Sequence, residues 1–160
     1  MYRRAHELLR GHLTTHQHTR VLCDSAWQGS PGAGAIRAHI EANLDASGWK
    51  DRRAVIVIEP ELEVWVWARS RKVEEVLGWK VESEGPVKAW LERQGLWEPS
   101  APKPAQPKEA LRAALRRAQR PPSSAIFRRL GDTLPPERCS DKGLKRLIGW
   151  LRAKFPPKHQ

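Results

Sequence analysis

Three carboxylates, Glu59, Glu61 and Glu63, crowd one junction of this sequence, and Asp24 closes a second junction of the same kind. A short acidic constellation of this sort can hold magnesium, which needs one or two carboxylates with waters and phosphate oxygens completing its shell. A metal so held activates water or steadies a leaving oxygen in phosphodiester hydrolysis. Asp24 and Glu59 are therefore the candidate metal ligands, and Asp24, Glu59 and Glu61 the candidate catalytic set, with Glu63 nearby. A plainer reading stands beside this one. Acids at a helix start complement its positive end, and Asp24 would then only cap a loop.

The elements that must position these acids follow from the pattern around them. Ala54 to Ile58 is an unbroken, mostly β-branched run between charge and Pro60, which reads as a strand buried on both faces inside a parallel sheet. Pro60 stops that strand and suits the first turn of a helix carrying Leu62, Trp65 and Val66 inward. Thr19 to Asp24 reads as a second strand, and Gln28-Gly-Ser-Pro-Gly-Ala-Gly34 as a loop, with Ser30 as helix cap and Pro31 as first helical residue. The helix that follows, to about Ala46, buries Ile36, Ile40 and Leu44, and Gly48 ends it. Residues 19–58 thus form a strand–helix–strand unit long enough for a parallel crossover. Asp24 and Glu59 then close parallel strands at one sheet edge, where open α/β sheets place their chemistry, and if those strands are neighbours their carboxylates can approach each other.

Other residue types carry weaker signals. His12 and His16 lie one turn apart on an expected helix over 2–16, with His18 close by, but no cysteine pair or flanking glutamate completes a zinc pattern. Gly29, Gly32 and Gly34 lead into a helix start that could face a phosphate, in a spacing that matches no nucleotide-binding fingerprint. Cys23 and Cys139 are far apart and read as buried thiols. Nothing assembles a nucleophile with its base. The tryptophans at 65, 67, 79, 90 and 97 read as packing, since tryptophan chiefly brings buried area.

Charge divides the chain. Residues 1–95 hold 14 Lys+Arg against 13 Asp+Glu, a net of +1, and residues 96–160 hold 15 against 5, a net of +10. A basic back third points to a polyanion, with DNA the favoured partner. Two helices expected there carry the candidate contacts: Lys108, Arg112, Arg116, Arg117 and Arg120 on one, Lys142, Lys145 and Arg146 on the other. The second buries Leu144, Leu147, Ile148 and Leu151, and Ser123 caps a short helix between them. Residues 98–107 read as a proline-rich connector. The division expected is therefore an α/β domain over 1–97, the connector over 98–107, and a basic helical region over 108–160. No stretch approaches the roughly 18 apolar residues of a membrane span and the N-terminus lacks a signal-peptide run, so the expected setting is the cytoplasm.

Ile56-Val-Ile-Glu-Pro-Glu-Leu-Glu-Val-Trp-Val-Trp67, continuing through Val76-Leu-Gly-Trp79, resembles a group of uncharacterised bacterial Toprim-like proteins of phage-defence loci, including a methylation-associated defence system. His6-Glu-Leu-Leu-Arg10, Gly48-Trp49, Lys103-Pro104, Pro107-Lys-Glu-Ala110, Ser123-Ser124, Cys139 with Asp141, and Trp150 near Phe155-Pro156 extend the likeness almost end to end. The Glu-Pro-Glu-Leu-Glu block is its most specific piece. The resemblance implies a small parallel Rossmann-like sheet, whose catalytic members hold magnesium with a glutamate and an Asp-x-Asp-type motif. Two departures are visible. Ser25-Ala26-Trp27 follows Asp24 where the family tends to place a second acid. The chain also starts after the strand and helix that usually precede the equivalent of Tyr2, as a truncated reading frame would.

The expectation is an α/β protein with a mostly helical basic C-terminal region, acting as a nucleic-acid-directed accessory of a bacterial defence system with degenerate catalysis. One alternative is a magnesium-dependent Toprim-like nuclease. Another is a non-catalytic subunit docking on other defence proteins.

Overall fold

A computed structural model describes residues 2–68, 70–134, 136 and 139–156. The chain forms two compact units, the first made of Met1–Glu59 with Lys142–Gln160 and the second of Pro60–Asp141. This is not the division into 1–97, 98–107 and 108–160 that composition suggests. Burial decides the boundary, because the last helix returns to the first strands. Within 108–160, residues 135, 137, 138 and 157–160 lie outside the described part.

The first unit is α/β. Strands β1 (Thr19–Asp24) and β2 (Arg53–Ile58) pair in parallel, in register from Thr19 opposite Arg53 to Asp24 opposite Ile58. These are the two strands of the sheet among the described residues. Successive side chains of a strand point to opposite faces, and both faces of β2 are used. Val55 and Val57 join Val21, Ile36, Ile40, Leu44 and Trp49 in one core, covered by α1 (Ala5–Leu9) and α2 (Ala33–Leu44). Ala54, Ile56 and Ile58 are also buried. They face the other way, and α8 (Lys142–Lys154) packs on β2.

Several local expectations change. The helix expected over 2–16 is only five residues long and is followed by a short tight turn over Arg10–His12. Gly32, with φ +89°, takes the cap position of α2 in place of Ser30, whose hydroxyl instead accepts from the Gly32 N–H at 3.3 Å. After Leu44 the chain widens through Asp45–Trp49, and Gly48 adopts φ +89°, a conformation that glycine reaches without cost. On α8, Leu144, Leu147, Ile148 and Leu151 are half-buried, and Gly143 alone is fully buried among the described residues of this helix.

The turn into β2 is tied by Arg53. Its guanidinium donates to both carboxylate oxygens of Asp45, at 2.7 and 2.8 Å, and reaches Glu41 at 3.2 Å.

The second unit is helical. It contains α3 (Lys72–Leu77), α4 (Val81–Glu84), α5 (Val87–Arg93), α6 (Pro107–Arg117) and α7 (Ser124–Thr133). The helix expected after Pro60 is one tight turn, Leu62–Trp65, with Leu62 exposed. Trp67, Trp79 and Trp97 are buried, and each indole N–H donates to a backbone carbonyl: Pro107, Gly85 and Ala101 respectively. They fill the core, as their number suggested, with no N–H left unsatisfied. The 98–107 segment lies within this packing. Pro104 and Pro107 are buried, and Lys103 Nζ donates to the Val64 carbonyl at 2.6 Å and to Cys139 Sγ at 3.2 Å. Ser123 caps α7, its side chain accepting from the Ile126 N–H.

The Arg53 fork holds the Asp45 carboxyl below its ordinary value of 3.8, chiefly through the hydrogen bond. A folded carboxyl depressed in this way stabilises the protein above its unfolded value, and that contribution drains as pH falls through the folded one. Asp45→Asn is therefore expected to lower the urea midpoint at neutral pH. The gap to the parent chain should close below pH 3.8, which unfolding curves over a pH series would check.

Candidate functional site

The acidic junction is assembled only in part. Parallel pairing brings Asp24 and Glu59 to one end of the sheet: Asp24 stands opposite Ile58, and Glu59 is the next residue. The Ser25 N–H donates to the Ile58 carbonyl at 2.9 Å, so the pairing runs to the end of β2. Asp24 is half-buried and Glu59 exposed. Among the described residues, no three His, Cys, Asp or Glu side chains gather as a metal-holding group. Two carboxylates with water are enough for magnesium, which seldom relies on an all-protein cage. The donor set fits a hydrated ion in number and chemistry, and Asp24 and Glu59 would hold it.

Glu61 has another partner. Its carboxylate accepts the Lys108 backbone N–H at 2.8 Å, at the start of α6. That helix begins with Pro107 and has no cap from its own preceding residue, so Glu61 satisfies an amide that the helix leaves open. Glu63 lies 4.0 Å from Lys108 Nζ. The helix start that Glu61 caps is thus not the one expected just after Pro60, which is only the tight turn Leu62–Trp65, but that of α6, some forty residues further along the chain. Cys139 is buried as expected, but Cys23 is half-buried, and burial, and then Asp24 beside it, push its thiol above the ordinary value. His12 and His16 meet edge to face at 5.0 Å and are exposed.

The basic residues divide just as clearly. On α6, Arg116 pairs with Glu109 at 3.2 Å, Arg117 forks onto Glu84, and Lys108 approaches Glu63. Arg120 lays its guanidinium over Gly78, the left-handed residue that ends α3, so closely that a Cβ there would stand 2.8 Å from its Nε. Arg112 is exposed with no ion pair among the described residues. On α8, Lys142, Lys145 and Arg146 are all exposed with no ion pair among the described residues, and Lys142–Lys154 contains no acid. The first unit holds 14 Lys+Arg against 6 Asp+Glu, +8, and the second 15 against 12, +3. The excess therefore sits mainly with the sheet.

One grouping was not visible in the sequence. His18, just ahead of β1, meets Trp150 at 5.6 Å and Phe155 at 6.1 Å, and Trp150 meets Phe155 at 6.1 Å. The Arg20 guanidinium lies 5.4 Å over Trp150. The aromatics among the cations of α8 were a hint of such a surface, but nothing linked them to residues 18–20.

Comparison with protein families, with characterised proteins and with solved structures gave no match to this chain. No helix among the described residues is long and apolar enough to cross a membrane.

Glu61→Ala is expected to destabilise the protein by about 1 kcal/mol, the scale of a lost helix cap, while Glu61→Gln, which keeps an acceptor oxygen, should cost less. Chemical denaturation of the two variants checks this.

Proposed function

We propose that this protein is a nucleic-acid-directed accessory protein that binds DNA through the outer face of α8. The observation that carries this is a set of three cations on that helix: Lys142, Lys145 and Arg146 are exposed with no ion pair among the described residues, and Lys142–Lys154 holds no acid. Cations without internal partners release the counterions of a phosphate backbone at no internal cost, and that release drives affinity. On α6, Arg116, Arg117 and Lys108 face Glu109, Glu84 and Glu63, so a bound polyanion would compete with those glutamates, and Arg112 alone there is exposed with no ion pair among the described residues. We read the strand–helix–strand unit as the centre of a Rossmann-like, Toprim-like sheet, supported by its parallel pairing and the carboxylates at its end. The resemblance at Glu59 to Glu63 suggests a bacterial defence locus, with other defence proteins as further partners, and a cytoplasmic setting is part of the same proposal.

A second reading is favoured by the sheet end itself. The resemblance would make Asp24 and Glu59, at the end of paired strands, the metal ligands of a magnesium-dependent nuclease, although Ser25 stands beside Asp24 in place of another acid and Glu61 is occupied. Cleavage that appears only with magnesium and is lost in Asp24→Asn or Glu59→Gln would establish it.

DNA binding by the full chain over a salt series tests the first reading. Cutting the chain at 97 would strip α8 from β2, so point substitutions are the better probe. Lys145→Glu with Arg146→Glu is expected to weaken binding at least tenfold and reduce the salt slope by about two, roughly one for each phosphate contact. Arg117→Gln should leave it nearly unchanged. Folded protein that binds no DNA at low salt would refute the proposal and leave a subunit that docks on an acidic protein.

A further inference from the structure

We infer that the DNA held by the first unit is single-stranded, with a base stacking on an aromatic platform where α8 ends beside β1. This rests on the nucleic-acid reading above and narrows it. Phe155 leaves 59% of its surface in water, unusual for a ring already in contact with two others. His18 meets it at an interplanar angle of 88° and Trp150 at 65°, while His18 and Trp150 meet at 86°. Edge-to-face contacts of this kind hold a ring in place and do not consume both of its faces. His18 Nδ1 is buried with no hydrogen-bond partner among the described residues, so the imidazole serves there as an aromatic wall.

The cations are placed to accompany such a base. Arg20 lies over Trp150, and Lys154 stands exposed next to Phe155. Arg146 is one helical turn before Trp150, so it lies on the same side of α8. From Lys142 to Lys154 the helix spans about 18 Å, a basic track that leads to the platform. Aromatic faces beside a basic groove are how proteins grip single strands without reading sequence. In a duplex the base faces are stacked on one another, so the platform finds nothing to hold. The chemistry of the surface thus discriminates between forms of one polymer that carry the same phosphates.

Fluorescence anisotropy with a labelled mixed-sequence 20-nucleotide strand, alone and as its duplex, at one salt concentration, tests this on the full chain. The single strand is expected to bind more tightly. Phe155→Ala should weaken single-strand binding by about five- to a hundredfold and leave duplex binding unchanged, and Phe155→Tyr should retain the affinity. Circular dichroism confirms that each variant is folded. Equal affinity for both forms, with Phe155→Ala altering neither, overturns the platform and leaves the DNA-binding reading standing. No binding of either form by folded parent chain removes that reading and the inference with it.

Discussion

The first unit depends on covering a strand that is apolar on both sides. Ala54 to Ile58 are all buried, and a strand of that kind cannot stand at the surface of a two-layer fold. Residues before β2 supply one cover, through α1 and α2. The chain ahead of Glu59 offers no second one. It leaves at Glu59, builds the whole second unit, and returns as α8 to pack on β2. The strongly basic helix is therefore a layer of the α/β unit. Its inward residues are only half-buried, because they close the second face of a single strand and not the wide face of a larger sheet.

This placement gives the charge its meaning. A count along the chain makes the last third uniformly basic, but folding distributes the cations between two environments. The second unit is closer to neutral, with Arg116 of α6 set against Glu109 on the same helix and Arg117 against Glu84 of α4. Exposed pairs of this kind add little to stability, typically no more than about 1 kcal/mol. They nonetheless lower the local positive field, and for polyanion binding that field matters more than pair energies do. The cations of α8 face no acid on their own helix and share one end with an aromatic cluster. Exposed cations and an aromatic cluster coincide there, and the proposed binding face rests on that coincidence.

The acidic stretch shows how one sequence feature can hold separate roles. Glu59 ends the first unit at a sheet edge beside Asp24. Glu61, two residues on, caps α6, and Glu63 faces the lysine of that same helix start. Negative charge clustered here because a strand ends and a distant helix begins. The chemistry open to the site is consequently that of two carboxylates and not of four.

Much of this was legible from residue order. The β-branched run at 54–58, the 36–40–44 spacing, the glycine at 48 and the cap at Ser123 each specify local structure through short-range sterics and periodicity, and each appears as those rules require. The length of the crossover fitted two parallel strands, and the structure added that they pair directly. The sequence could not show which acid meets which amide, because Glu61 and Lys108 are joined by packing across 47 positions. Nor could it show that 98–107, for all its prolines, is held against Trp67, Trp97 and Val64 by hydrogen bonds, or that His18 stands beside Phe155. Local propensity fixes what a segment becomes, whereas partnership depends on the burial of faces that only long-range contact can cover. Tertiary structure alone therefore decided which cations of the basic helices face glutamates and which are exposed without an ion pair among the described residues.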